Sequence, residues 1–254
     1  VLEKKKFNVN DWGGYAKCYD ALNLLRPYQQ LQQTVIASLK LLPGQIILDA
    51  ATGTGNLGWW IQKGGGLNGA RIIGVDFSEE MLALAGEKCE GMAVDFKKCD
   101  LNQSLPFADV YFHQIVSVNT LYALSDPEKI LSEFHRVLKP GGRIILINPK
   151  KGYENGLILK AHCRDGGPDE LWLDAHASEV KERELVFKAV NDYETAAKFL
   201  SIASFNREIA ANRQFYFFEE QSLLDMFYKK DFFWVKSSRA YAGQAIAITA
   251  RKGG

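Results

Sequence analysis

The sequence lacks most of what would place it in a specialised class. It has four cysteines, Cys18, Cys89, Cys99 and Cys163, and no C-x-x-C pair, which argues against a disulfide framework and fits reduced thiols in a cytoplasmic protein. Its net charge is only +1, so no overall field draws polyanions and nucleic acid is not an expected partner. The one tight basic run, Lys4-Lys5-Lys6, reads as a solvated tail. No apolar run approaches the ~20 residues that span a membrane. No charged segment followed by an apolar one opens the chain as a signal peptide would, although a start at Val1 rather than methionine leaves a removed leader open. Internal repeats and low-complexity segments are also missing.

What is present is an ordinary globular balance, 47% hydrophobic and 24% charged residues. A chain of 254 residues has room for one large α/β domain, or a core domain with a sizeable insertion. Residues 1–26 hold Trp12, Tyr15 and Tyr19 and suggest short helical pieces. Pro27 then opens an amphipathic helix with Tyr28, Leu31, Val35 and Leu39 at helical spacing, stopped by Pro43-Gly44. From residue 45 strands and helices alternate. Strands are expected at 45–50, 71–75, 92–98, 110–118 and 143–147; helices at 56–63, from the cap Ser78 to about 88, and from Asp126-Pro127 onward. Such alternation implies parallel strands joined by right-handed crossovers, with ligands at their carboxyl ends. After residue 150 the segment turns helix-rich, for example 178–213. A helix at 219–229 and an antiparallel pair at 232–237 and 244–249 close the chain.

The organising stretch is Ile46-Ile47-Leu48-Asp49-Ala50-Ala51-Thr52-Gly53-Thr54-Gly55-Asn56-Leu57-Gly58. It reads as strand, tight loop and helix, where small residues let backbone N–H groups and the positive helix end approach a ligand. Gly53, Gly55 and Gly58 spell G-x-G-x-x-G, and Asp76 ends the next apolar run about 20 residues on, as in a dinucleotide fingerprint. Against that stands Asp49, which would repel a pyrophosphate and hold a cationic ligand. Asp49, Asp76, Asp100 and Asn119 fall at four successive strand ends. One such residue is commonly a turn or cap; four make a constellation.

These segments resemble the class I S-adenosylmethionine-dependent methyltransferases, in particular the small-molecule branch that includes quinone-biosynthesis methyltransferases. Leu48-Asp49-Ala50-Ala51-Thr52-Gly53-Thr54-Gly55 is similar to that family's first motif, with Ala51 where glycine is commoner. Gly74-Val75-Asp76-Phe77-Ser78 resembles the second, Cys99-Asp100-Leu101 the third, and Leu138-Lys139-Pro140-Gly141-Gly142 the turn before the fifth strand. The resemblance implies a Rossmann-like, doubly wound seven-stranded sheet, mostly parallel with an antiparallel last strand. It further implies N-terminal helices acting as a lid (1–44), an S-adenosylmethionine-binding core (45–149 and 214–254) and a helical substrate cap (150–213). Asp49 and the backbone of Ala50, Ala51, Gly53, Gly55 and Asn56 would meet the methionine part of the cofactor. Asp76 would hold the ribose hydroxyls, Asp100 with Leu101 the adenine amine, and Phe77 and Met81 the adenine ring. Tyr19 would lie over the cofactor and Asn119 near its sulfonium.

The implied activity is methyl transfer to a small-molecule acceptor with release of S-adenosylhomocysteine. In-line displacement from a sulfonium chiefly needs alignment and exclusion of water; a base is needed only for a protonated nucleophile. Tyr15, Asn119, Tyr122 and His162 are the catalytic candidates. His162, Cys163, Asp174 and His176 match no tetrahedral spacing, so no metal is expected. Residues 215–218, Phe-Tyr-Phe-Phe, are either core or the wall of a pocket for a hydrophobic or aromatic acceptor, and Arg207 and Arg213 are candidates for an acidic group on it. Two alternatives stay open: a nicotinamide-linked oxidoreductase and a non-catalytic S-adenosylmethionine-binding module. The oligomeric state is not legible.

Overall fold

A computed structural model describes residues 12–163, 175–190, 192–212 and 215–254, leaving out the side chains of 175–178. The described residues form a seven-stranded sheet of order β3-β2-β1-β4-β5-β7-β6. Its strands are β1 (Ile46–Ala50), β2 (Arg71–Asp76), β3 (Val94–Lys98), β4 (Phe112–Val118), β5 (Leu138–Pro149), β6 (Phe232–Ala240) and β7 (Ala245–Lys252). Pairing is parallel from β3 through β5, and β7 runs antiparallel to both its neighbours. The doubly wound sheet with an antiparallel last strand is thus the fold that the sequence implied. Strand order reverses between β1 and β4, the switch point at which such sheets open a crevice.

Side-chain alternation along the strands builds two cores. On one face Ile47, Ile72, Val116 and Ile145 pack with Leu31 and Val35 of α2 (Arg26–Ser38) and Leu57 and Ile61 of α3 (Asn56–Lys63). On the other, Leu48, Ile73, Ile115 and Leu146 meet α5 (Pro127–Val137) and α9 (Glu220–Lys229). In α5, Ile130, Leu131, Phe134 and Val137 are buried at helical spacing, each large side chain contributing roughly 1.5–3 kcal/mol. Asp126 caps that helix by accepting from Lys129 N, and Ser78 caps α4 (Glu79–Lys88) by accepting from Met81 N.

Two polar residues interrupt the apolar run of β4 for a structural reason. His113 Nδ1 accepts from Ile46 N at 3.0 Å, and its Nε2 lies 2.9 Å from Lys139 Nζ. Gln114 bonds both backbone groups of Lys40 and the side chain of Gln45, fixing the entry to β1.

At the N-terminus α1 (Trp12–Tyr19) runs into a 3-10 turn, Asp20–Leu24. After β5 come α6 (Asn155–Cys163), α7 (Ala175–Ala189) and α8 (Tyr193–Ala211). The helical pattern expected across 178–213 is divided in two, because Asp192 accepts from Thr195 N and starts a new helix. Gly58 belongs to α3: a Cβ there would come within 3.1 Å of Val94 Cγ2, so its smallness serves helix-to-strand packing.

Candidate active site

The carboxyl ends of β1, β2, β3, β4 and β5, roofed by α1 and α8, enclose a cavity of about 330 Å³. The loop after β1 forms its floor. Ala51 (φ 61), Gly53 (φ 55) and Gly55 (φ 76) all adopt left-handed backbone, cheap for glycine and unusual for alanine. Thr52 N donates to Val75 O at 2.9 Å, and Gly53 N donates to Asp76 Oδ2 at 2.8 Å. The other carboxylate oxygen of Asp76 accepts from Ser78 N at 3.0 Å. Loop and strand-end acid are therefore one hydrogen-bonded unit.

Of the residues singled out in the sequence, Tyr15, Tyr19, Ala51, Gly53, Asp76, Phe77, Met81, Asp100, Leu101, Asn119 and Tyr122 line the cavity. Asp49, Ala50, Gly55, Asn56 and His162 do not. Asp49 is buried, accepting from Thr52 Oγ1 at 2.6 Å; burial without a cationic partner pushes its carboxyl up to about 7. Ala50 lies within β1, and its carbonyl accepts from Ser117 Oγ. Gly55 caps α3, where a Cβ would meet Ala85 at 3.1 Å. Asn56 donates to Tyr28 Oη at 3.0 Å. His162 sits on α6, where its Nδ1 accepts from Arg26 N at 3.1 Å. Arg207 pairs with Glu179 and Glu182. Asp174, Arg213 and the side chain of His176 lie outside the described residues; among the described residues no three metal-ligating side chains converge.

One end of the cavity carries the strand-end polar groups. Burial raises the Asp76 carboxyl above the usual carboxylate range, opposed by the N–H groups of Ser78 and Gly53. Asp100 Oδ1 accepts from both nitrogens of Asn102, at 2.9 and 3.0 Å. Asn119 has left-handed backbone (φ 55), and its Oδ1 is buried with no partner among the described residues. A buried acceptor left unpaired costs about 1–3 kcal/mol, so it marks a place where a donor belongs.

The other end is aromatic. Tyr122 stacks on Phe217 with ring centres 5.4 Å apart and planes 19° apart, and Tyr153 lies nearly parallel beyond, 20° from Phe217. Trp12, Phe215 and Ile209 complete this wall. Burial pushes the phenols of Tyr15, Tyr19, Tyr122, Tyr153 and Tyr241 above their ordinary range, so at neutral pH they donate hydrogen bonds and do not accept protons. Tyr153, Asn206 and Tyr241 were missed in the sequence. Tyr153 follows β5 directly and Tyr241 lies in the β6–β7 turn. Tyr153 falls in the segment expected to be a helical cap and Tyr241 in the link between the last two strands, and neither stands at a strand end that the sequence marks.

The family model described as a methyltransferase domain matches residues 47–142, the stretch from β1 to the start of β5. A demethylmenaquinone methyltransferase of Thermus thermophilus is 36% identical over 153 residues, covering 57% of this chain and 67% of that protein. A ubiquinone/menaquinone biosynthesis C-methyltransferase of Desulfotalea psychrophila, UbiE, is 37% identical over 102 residues, only 40% of each chain. In fold, the chain is similar to an S-adenosylmethionine-dependent methyltransferase from Aquifex aeolicus, with a TM-score of 0.57 at 20% identity, covering 97% of this chain and 99% of that one. The chain belongs to the class I S-adenosylmethionine-dependent methyltransferases, enzymes of methyl transfer to small-molecule acceptors, and is similar to their quinone-biosynthesis members.

Proposed function

We propose that the protein methylates a planar, electron-rich aromatic small molecule of quinol type and releases S-adenosylhomocysteine. The observation that carries this reading is the polarity of the cavity: strand-end acids at one end, a wall of nearly parallel rings at the other. The names of the relatives, which refer to demethylmenaquinone and to carbon methylation, agree with such an acceptor.

The residues at the polar end suit the cofactor. Asp76 offers carboxylate oxygens of the kind that bind paired ribose hydroxyls by charge-assisted bonds. Gly53 has no side chain to fill the cavity floor, Phe77 and Met81 offer apolar contact, and the unpaired Asn119 Oδ1 asks for a donor. Asp49, buried behind Thr52, acts from behind the loop through its negative field. The bound cofactor supplies an electrophilic methyl group on sulfur. The chain's own work is to hold that sulfur against the ring wall and to keep water out, which α1 and α8 do as lid and cap.

No carboxylate or imidazole lines the aromatic end among the described residues. On this reading the acceptor is activated by its own electrons: the ring carbon of a phenolate forms the new C–C bond as the C–S bond to the methyl group breaks, and the ring proton then passes to water as the product leaves, restoring the aromatic ring. Incubation of the protein with S-adenosylmethionine and a panel of quinols, catechols and alkylamines tests this. The expected result is S-adenosylhomocysteine release with methylated aromatic product; cofactor binding with no turnover on any aromatic acceptor, or turnover on amines alone, would sink it.

A further inference from the structure

Behind the cofactor loop lies a buried ion-pair cluster that the activity does not itself require. Lys88, in the last turn of α4, has a side chain only 15% exposed. Its ammonium donates to Asp20 Oδ1 at 2.6 Å, Thr54 Oγ1 at 2.9 Å and Asn56 Oδ1 at 2.9 Å. An ammonium has three protons, so none is left for the carbonyls of its own helix end, where a terminal lysine ordinarily acts. Thr54 Oγ1 in turn donates to Asp20 Oδ1 at 2.6 Å, closing a three-membered ring of bonds.

Two of the acceptors are chain neighbours of cavity-lining residues in different parts of the fold. Thr54 stands between Gly53 and Gly55, both with positive φ, and is itself fully buried. Asp20 directly follows Tyr19, which lines the cavity, and opens the turn that links the lid helix α1 to α2. A lysine ammonium this far from solvent is tolerated only where its charge is paired, and its partner Asp20 is itself half exposed. Here the pairing is spent on joining the loop to the lid.

We propose that Lys88 is a positioning residue that latches the glycine loop to the N-terminal lid, so that Gly53 and the Tyr19 ring, which both line the cavity, are set together for the cofactor. The proposal rests on the cofactor reading given above. Lys88 touches no reacting atom. Its loss acts on cofactor affinity through Thr54 and Asp20.

The test is calorimetric titration of the full chain with S-adenosylhomocysteine. Wild type must bind; no binding would remove the cofactor reading and this proposal with it. Given binding, Lys88→Met and Asp20→Asn are each expected to weaken it fivefold or more, and the double variant by clearly less than the product of the two. At saturating cofactor, kcat and the acceptor KM of both variants should stay within threefold of wild type, a split that a general loss of structure would not give. Where Lys88→Met does not fold, Asp20→Asn, on a side chain 43% exposed, decides alone. A loss of less than fivefold in the folded variants, or effects that simply multiply, would overturn the latch.

Discussion

The phenol of Tyr15 donates a hydrogen bond to Asn206 Oδ1 at 2.9 Å across 191 positions of chain, joining the first helix to the last helix of the insertion. Asn206 Nδ2 reaches on to Asn155 Oδ1 at 3.0 Å and Tyr153 Oη at 3.3 Å. The helix α1, the start of α6 and the helix α8 are therefore one hydrogen-bonded roof over the strand ends. The cofactor end is built by a continuous run of β-α units. The acceptor end is assembled from residues near position 15, near 153 and near 206 that only the fold brings together.

The Asp76 carboxylate does two jobs, fixing Gly53 N and facing the cavity. Asp76→Ala removes both, and charge-assisted bonds are worth about 1.5–3 kcal/mol each, so affinity for S-adenosylhomocysteine should fall at least tenfold. Asp76→Asn keeps an acceptor for Gly53 N and should fall less. Calorimetry on the two variants checks the order; equal losses would mean that the charge carries the whole effect and a neutral acceptor for Gly53 N contributes nothing.

Ala51 occupies a left-handed backbone position, φ 61, where a methyl group is strained. Ala51→Gly relieves about 1–2 kcal/mol of left-handed strain, of which about 0.4–1 kcal/mol is offset by the freer unfolded glycine. Thermal unfolding should move up by roughly 1–3 °C. A lowered Tm would show that packing of the Ala51 methyl outweighs the strain.

The sequence made the cofactor half legible because each feature there is local. Asp49, Asp76, Asp100 and Asn119 sit at strand ends, and strand ends follow from apolar runs and the caps that stop them. Asp126-Pro127 and Ser78 mark helix starts without tertiary help. Tyr153 and Tyr241 were not legible for the opposite reason. Their place depends on β7 pairing antiparallel to β5 in one register, Pro149 opposite Ala245, after which Lys150 N donates to Gln244 O at 3.1 Å. Register between strands about 100 positions apart is a property of the packed sheet. The start of α8 is set locally by its cap Asp192, but the helical periodicity on both sides masks it.

Asp49 gives stability a pH dependence. Its folded carboxyl is held up to about 7 by burial, against about 3.9 when exposed. The folded-state value is the higher one, so the group's contribution is fully present below about pH 4 and is lost as pH rises to about 7, a loss of up to about 4 kcal/mol. Asp49→Asn keeps an acceptor for Thr52 and carries no such slope. In urea unfolding, its stability relative to wild type should rise by roughly 1–3 kcal/mol between pH 5 and pH 8. A difference independent of pH would mean that Asp49 titrates normally.

Phe217 separates acceptor from cofactor binding. It stacks on Tyr122 and lies at the end of the cavity away from Asp76. Stacked rings contribute about 0.5–1.5 kcal/mol beyond buried area. With the lost surface added, Phe217→Ala should raise the KM of an aromatic acceptor by roughly tenfold or more. The affinity for S-adenosylhomocysteine should stay within threefold, and a parallel loss of both would merge the two halves of the cavity into one site.

Tyr15 is the side chain that most resembles a base by position, and its environment argues against that use. Burial raises its phenol well above the ordinary range, and the neighbouring tyrosines push the same way. The group is protonated at neutral pH and donates to Asn206. Tyr15→Phe therefore removes one hydrogen bond, about 1 kcal/mol, from the roof and nothing from proton transfer. The expected kcat is within fivefold of wild type, with an unchanged pH profile and a slightly lowered Tm. A loss of a hundredfold, or disappearance of a titrating limb from the pH–rate curve, would restore Tyr15 as the base and require an acceptor that cannot activate itself.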